Sequence, residues 1–398
     1  MLQVVNHTPF SASLSVLSDT DGVESVFAIV KASFRITFED PEVLAPQVPL
    51  LATDVFWGDP MATSLRAAGE FGLMKPATDV LLLGHAVAPE PGTRVADVSL
   101  SVGPVNRTVR VFGDRHWEKS GGQWRPSAPA AWDTMPLRWE RAWGGIAPAD
   151  LDAQGLPEHE PRNPVGVGIA SRRDGPLEGQ SLPNLEDPQA LIAKPGDRPV
   201  PACFGPIPPT WLPRRDFAGT YDDGWTKKRA PYLPLDFDSR FFQVAPPALI
   251  APGFLQGGEP VRLAGFTAGA PLDFSLPDCG LELEFDFDGA PVPKTPQLEM
   301  VLFEPDLGRF QMLWRAALPV DKKLLRLIEV VIRSTVFAAD GSKIVPLSGL
   351  NAMPPSYAGE EADEEQDDVP DEDDDDDPSD DDDDLEDEAA NDASSTAR

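Results

Sequence analysis

Apolar and polar positions alternate with a period of two in the first and last thirds of the chain. Phe34, Ile36 and Phe38 alternate with Arg35 and Thr37, and Val98, Leu100 and Val102 alternate with Ser99 and Ser101. Gly103-Pro104 then turns the chain, and residues 108–112 return. Alternation bounded by Gly and Pro predicts half-buried antiparallel strands. Near the other end, Leu281, Leu283, Phe285 and Phe287 alternate with Glu282, Glu284, Asp286 and Asp288, giving a strand with one greasy and one acidic face. Residues 289–294 are expected to turn, with strands at 298–303 and 310–315 split by a turn at 306–308. Only 321–334 has the mixed apolar spacing of a helix, and its Val330, Val331 and Ile332 suit a strand as well.

The centre, residues 124–240, shows no clear period and is dense in Pro, Gly, Trp and Arg. Its aromatics, among them Trp132, Trp211 and Tyr232, are costly to leave in water, so it reads as ordered loop rather than disorder. The expected fold is mostly β: antiparallel sheets packed sandwich-like, with this long loop-rich Pro/Trp/Arg segment wrapped on them. The expected organisation is a single composite β domain over 1–350, with N-terminal strands in 1–123, the loop-rich centre in 124–240 and C-terminal strands in 241–350. A disordered acidic tail, 351–398, follows.

Charge sharpens this division. The formal charge is −33, and the stretch from Gly359 to the end holds 23 acidic residues against one basic, which leaves −11 for the rest. So acidic a tail cannot collapse. An acidic body disfavours nucleic acid, whose binding rests on Lys and Arg neutralising phosphates, and disfavours anionic membranes for the same reason. No stretch approaches the roughly 18 apolar residues of a membrane span. Residues 1–10 lack the basic and apolar regions of a signal peptide, and Cys203 and Cys279 are too few for a disulfide framework. A cytoplasmic setting with reduced thiols is expected.

Catalytic patterns are missing. His7, His85, His116 and His159 have no ligand spacing, and no Cys-x-x-Cys exists, so no metal site is expected. Gly166-Val167-Gly168 has Ser171 where a dinucleotide fingerprint needs its third glycine, and Ser181 lacks the second glycine of a nucleophile elbow. No enzyme activity, cofactor or small-molecule substrate is expected.

What stands out is a constellation in the centre. Arg138, Trp139, Arg141 and Trp143 precede Gly144-Gly145, and Asn163-Pro164-Val165-Gly166 follows. Tyr221, Trp225, Arg229, Asp236 and Arg240 complete it. Guanidinium groups stack on indoles and pair with carboxylates, so such residues can simply pin irregular loops. Trp, Tyr and Arg are equally the usual anchors of protein interfaces. These nine are the candidate protein-binding residues.

The blocks 138–145, 163–166, 219–225 and 236–242, in that order, together with the Asn6-His7-Thr8-Pro9-Phe10 opening and Lys31-Ala32-Ser33-Phe34, resemble the bacterial family of domain of unknown function 2169. The resemblance runs to about residue 247 and more weakly to 350. It implies a cytoplasmic bacterial adaptor or chaperone of type VI secretion, one that loads a toxic effector onto the spike protein VgrG or its PAAR tip. The family offers no catalytic residues to carry over. Two rivals remain: an enzyme of hydrolase type, which a deep pocket of converging groups would favour, and a secreted structural part of the spike.

Overall fold

The longest strand, Glu24–Arg35, has ten consecutive buried residues between exposed ends. Its run Val26-Phe27-Ala28-Ile29-Val30 does not alternate because both faces of the strand are covered. In this computed structural model, which describes residues 3–37, 40–151, 155–170, 177–287, 289–320, 324 and 326–344, that strand lies inside the largest sheet. With strands numbered along the chain, the sheet runs β2 (Ser11–Ser18), β3 (Glu24–Arg35), β13 (Arg309–Pro319), β12 (Gln297–Glu304) and β4 (Asp79–Leu82). Neighbours are antiparallel except β12 and β4. The short strand Glu42–Val43 pairs with the end of β3.

Side chains alternate across this sheet, so its two faces carry different sets of residues. One face is dry. Phe34 stacks on Phe310 at 5.2 Å, and Phe303 and Phe310 meet Phe274 of a second sheet at 6.2 and 5.3 Å. That second sheet runs β7 (Leu185–Glu186), β6 (Val105–Phe112), β5 (Val95–Val102), β8 (Pro260–Ala264), β9 (Leu272–Ser275). A third joins β1 (Gln3–Asn6), β14 (Leu327–Ser334), β10 (Leu281–Phe287) and β11 (Ala290–Lys294), and its Leu283, Phe285, Val330 and Ile332 enter the same hydrophobic core. The expected mostly β architecture of packed, largely antiparallel sheets is what the structure shows.

The other face of the large sheet carries buried charge. Lys31 is fully buried, with Nζ 2.7 Å from both carboxylate oxygens of Glu70. Burial pulls the Lys31 ammonium pKa below its ordinary value, and the Glu70 carboxylate opposes the shift. A register shift between Leu298 and Met300 inserts Glu299 as an extra residue, whose carboxylate meets Arg315 Nε at 2.7 Å. Arg315 also donates to the carbonyls of Glu70 and Gly72, both at 2.8 Å. These bonds fasten residues 44–78, a strap across the sheet. Further along it, Glu299 accepts from the Lys75 amide, and Lys75 Nζ pairs with Asp79 at 2.7 Å.

Several expectations meet a different outcome. Residues 290–294, read as a turn, form β11, whose Pro291 and Pro293 sit on an edge strand where a missing N–H is tolerated. The ambiguous 321–334 stretch supplies strand β14. The alternation at Phe34 and Ile36 marks the end of β3, which stops at Arg35, and Phe38 lies outside the described residues. The acidic stretch 351–398 lies outside them too. The described residues fall within one compact unit, 1–345.

Glu70→Ala should lower unfolding free energy by about 3–5 kcal/mol, because it strands a buried ammonium. Replacing both partners, Lys31→Met with Glu70→Leu, should recover much of that loss. Urea titration measures both, and a single variant within about 0.5 kcal/mol of wild type would show that the pair holds nothing.

Candidate functional site

The first half of the constellation is a buried knot. Trp139–Arg141 forms a single 3-10 turn, and the Trp139 indole N–H donates to the carbonyls of Gly205 at 3.2 Å and Pro206 at 2.9 Å. Its ring meets Trp211 edge-on at 6.1 Å. Asn163 is fully buried and its amide donates to Trp139 O at 2.8 Å and Trp143 O at 3.0 Å, with Ala142 O at 3.4 Å. One side chain thus adds a donor to the carbonyls of Trp139 and Ala142, which also accept from Ala142 N and Val167 N at 3.0 Å, and supplies the donor to that of Trp143. The glycines follow from the close approach. A Cβ on Gly145, whose φ is +98°, would lie 2.4 Å from Gly166 O, and one on Gly166 would lie 2.3 Å from Asn163 Nδ2.

The knot is tied outward as well. Glu140 accepts from Ser64 N at 2.7 Å and Ser64 Oγ at 2.9 Å, and the Arg138 guanidinium stacks 3.6 Å from the Trp57 ring, which joins the knot to the strap. Between Gly145 and Asn163 a hairpin of Ile146–Leu151 and Pro157–His159 projects, and its base is closed by Gly145 N to Asn163 O at 2.8 Å and Glu160 N to Gly145 O at 3.0 Å.

The second half is an exposed excursion, residues 219–242. Thr220 closes it by donating from N and Oγ1 to Asp236 at 3.0 and 2.7 Å, which holds that carboxyl below its usual range. Asp222 caps the six-residue helix α1 (Asp223–Lys228) by accepting from Trp225 N at 2.8 Å. Trp225 Nε1 donates to Tyr232 O at 2.8 Å, and Arg229 Nε to Leu233 O at 2.9 Å. The Tyr221 ring stands edge-on to Trp225 at 4.8 Å. Tyr221 is nevertheless 54% exposed, Tyr232 44% and Leu235 80%. Where the excursion returns to the body, Phe237, Phe241 and Phe242 form a ring cluster, and buried Arg214 donates to the carbonyls of Phe241 and Ile207. Burial draws the Arg214 pKa down to about 10.

The nine candidate residues therefore divide. Trp139 and Trp143 are buried. Arg138 is half-buried against Trp57, and Arg141 is exposed but bonded to Asn184 at 3.1 Å. Tyr221, Trp225, Arg229, Asp236 and Arg240 share the excursion, where Arg240 pairs with Asp238 at 2.6 Å. Among the described residues no hydrogen bond, ion pair or ring contact joins the two groups directly. Tyr232 and Leu235 belong to the exposed surface although they were not among the nine; their signal was an apolar residue placed among Pro and Asp, where no core periodicity explains it.

A cavity of about 210 Å³ lies between the strap and the charged face, with Lys31, Glu70, Glu304, Arg309 and Gln311 in its wall. Its polar groups already pair with one another: Glu304 Oε2 accepts from Arg309 Nε at 2.6 Å and Gln311 Nε2 at 2.7 Å, beside the Lys31–Glu70 pair. Among the described residues no group of His, Cys, Asp and Glu is placed to hold a metal ion. Cys203 and Cys279 are buried free thiols, and burial raises the Cys203 thiol to about 12 and pushes Cys279 upward as well. No helix among the described residues is long and apolar enough to cross a membrane.

Residues 21–315 match the family described as an uncharacterized protein conserved in bacteria (DUF2169). No curated protein and no solved structure matches the chain.

The two halves should respond differently to substitution. Asn163→Ala takes the side-chain donor from the Trp143 carbonyl and should cost about 1–3 kcal/mol of stability. Tyr221→Ala, on the exposed excursion, should stay within about 0.5 kcal/mol of wild type. Equilibrium unfolding of the two variants side by side checks this, and equal losses would contradict the division. The thiols should resist labelling by a disulfide reagent in the native protein and react fully once it is unfolded, without added reductant.

Proposed function

We propose a protein-binding role for this chain, which belongs to the bacterial family DUF2169. The observation that carries the proposal is the excursion: Tyr221, Tyr232 and Leu235 stand exposed on a loop whose shape is set by its own hydrogen bonds. Aromatic side chains presented on a pre-ordered frame lose little entropy when a partner covers them, which suits an interface anchor. Trp225, partly covered by Tyr221, is the natural centre of the patch.

The fuller proposal follows the family resemblance. The protein is an adaptor of type VI secretion that holds an effector in the bacterial cytoplasm and passes it to VgrG or the PAAR tip. The mostly β body with its buried charge network is the frame, and the excursion is the contact. The double variant Tyr221→Ala/Trp225→Ala should fold normally and lose about 2–4 kcal/mol of affinity for the effector. The measurement is effector released into the culture medium by a type VI–competent strain, with the effector retained on the purified protein as a second readout. Normal release and normal retention by a folded double variant would overturn the proposal. The protein itself accumulating in the medium would make it a part of the spike instead.

A second reading has one observation behind it. Lys31, Glu70 and Glu304 line one cavity of about 210 Å³, which would bring charged groups to a small substrate. Turnover by pure protein, lost in Glu304→Gln at unchanged stability, would establish it.

A further inference from the structure

The edges of the three sheets are treated unequally. β11 carries Pro291 and Pro293, and β4 is covered along its outer side, where Leu82 N donates to Phe204 O and Asp79 bridges Ile250. β1, β7 and β9 are each four residues or shorter. β2 differs from all of these: eight residues, Ser-Ala-Ser-Leu-Ser-Val-Leu-Ser, without a charge or a proline. Natural sheets usually protect such an edge with Lys, Pro or a bulge.

The register identifies which groups are free. In the β2–β3 hairpin Asp19 N donates to Val23 O, so odd-numbered β2 residues bond to β3. On its far side β3 turns even-numbered residues toward β13, as Val320 N to Glu24 O shows. The N–H and C=O groups of Ala12, Leu14, Val16 and Ser18 therefore point away from the sheet, and among the described residues none has a backbone partner. Val16 is 39% exposed.

Two features at the hairpin end define what fits. Asp21 and Glu24 are exposed and have no cationic partner among the described residues. The turn also lies under the excursion: a Cβ on Gly22 would sit 3.2 Å from the Tyr232 ring. A strand laid along β2 would thus run out beside the aromatic patch.

We propose that β2 accepts an extended segment of the partner protein as an added strand, one uncharged where it pairs with 12–18 and carrying Lys or Arg at the end beside Asp21 and Glu24. The backbone supplies affinity, the serine-rich strand admits varied side chains, and the acidic turn fixes direction. An antiparallel segment places its basic residues at its N-terminal end. The inference rests on the protein-binding reading for its purpose; its geometry does not depend on the excursion.

The test uses the full chain and a fluorescent heptapeptide of two lysines followed by alternating threonine and valine. Binding is read by anisotropy. Val16→Pro removes one outward N–H and spares every β2–β3 bond, and Val16→Lys blocks the edge with charge while keeping the N–H. Both should melt like wild type and bind the peptide at least about tenfold more weakly. Replacing the lysines by glutamates should also weaken binding, while moving them to the other end preserves it only if the added strand is parallel. Failure of the wild type to bind the lysine peptide, or equal binding by both folded variants, overturns the proposal. So does a wild-type dimer in light scattering that Val16→Pro dissolves, which would assign the edge to a second copy. Effector release that depends on Trp225 but not on Val16 would refute strand addition and leave the adaptor reading standing.

Discussion

Everything at the charged face of the large sheet depends on two buried cations. Lys31 and Arg315 stand on adjacent central strands and are bonded to the strap at Glu70 and Gly72. Desolvating an ammonium or a guanidinium costs several kcal/mol, offset only if each meets its carboxylate and carbonyls in close geometry. That requirement fixes the strap more tightly than hydrophobic burial alone, since Glu70 must reach Lys31 while the carbonyls of Glu70 and Gly72 reach Arg315. Where the strap lies then decides where Trp57 and Ser64 stand, and these receive Arg138 and Glu140 of the central knot. Irregular chain is positioned here by charge, through ion pairs at the sheet and then a guanidinium–indole stack and carboxylate hydrogen bonds at the knot.

Much of the β framework was legible in the pattern of side chains. β5, β6, β10, β12 and β13 each show alternation or a greasy run between turn residues, and Gly103 and Gly308 take the left-handed conformations that their turns need. What escaped was the first part of β3, which does not alternate because both of its sides are covered, and β11, whose prolines suggest a turn until its place at an edge is known. The buried charges were invisible for another reason: a lysine within a strand reads as a solvent-facing residue unless the carboxylate that meets it, 39 residues away, is placed beside it.

The constellation in the centre was readable as a set of residues but not as two sites. Trp, Arg, Asn and Gly spaced as at 138–145 and 163–166 have the composition of an interface, and here Asn163 adds side-chain bonds beside the short ladder of Trp143–Gly144 with Val167–Gly168. The stretch around Tyr221 and Trp225 has the same composition and the opposite exposure. The indole N–H of Trp139 reaches two carbonyls of a distant segment, that of Trp225 a carbonyl seven residues away within the same loop.

The closed base of the hairpin between Gly145 and Asn163 carries a practical meaning. Because the two ends of that loop are joined to each other by backbone bonds, and the knot closes through Asn163 beyond them, the chain between is topologically a handle. Its length is decoupled from the packing beneath it, since loop length adds only slowly to the entropy of closure. A fluorescent protein, an affinity tag or a crosslinking residue spliced into the handle would ride on the surface without crossing the strap or the core, giving a place from which to watch the protein at work in a living cell.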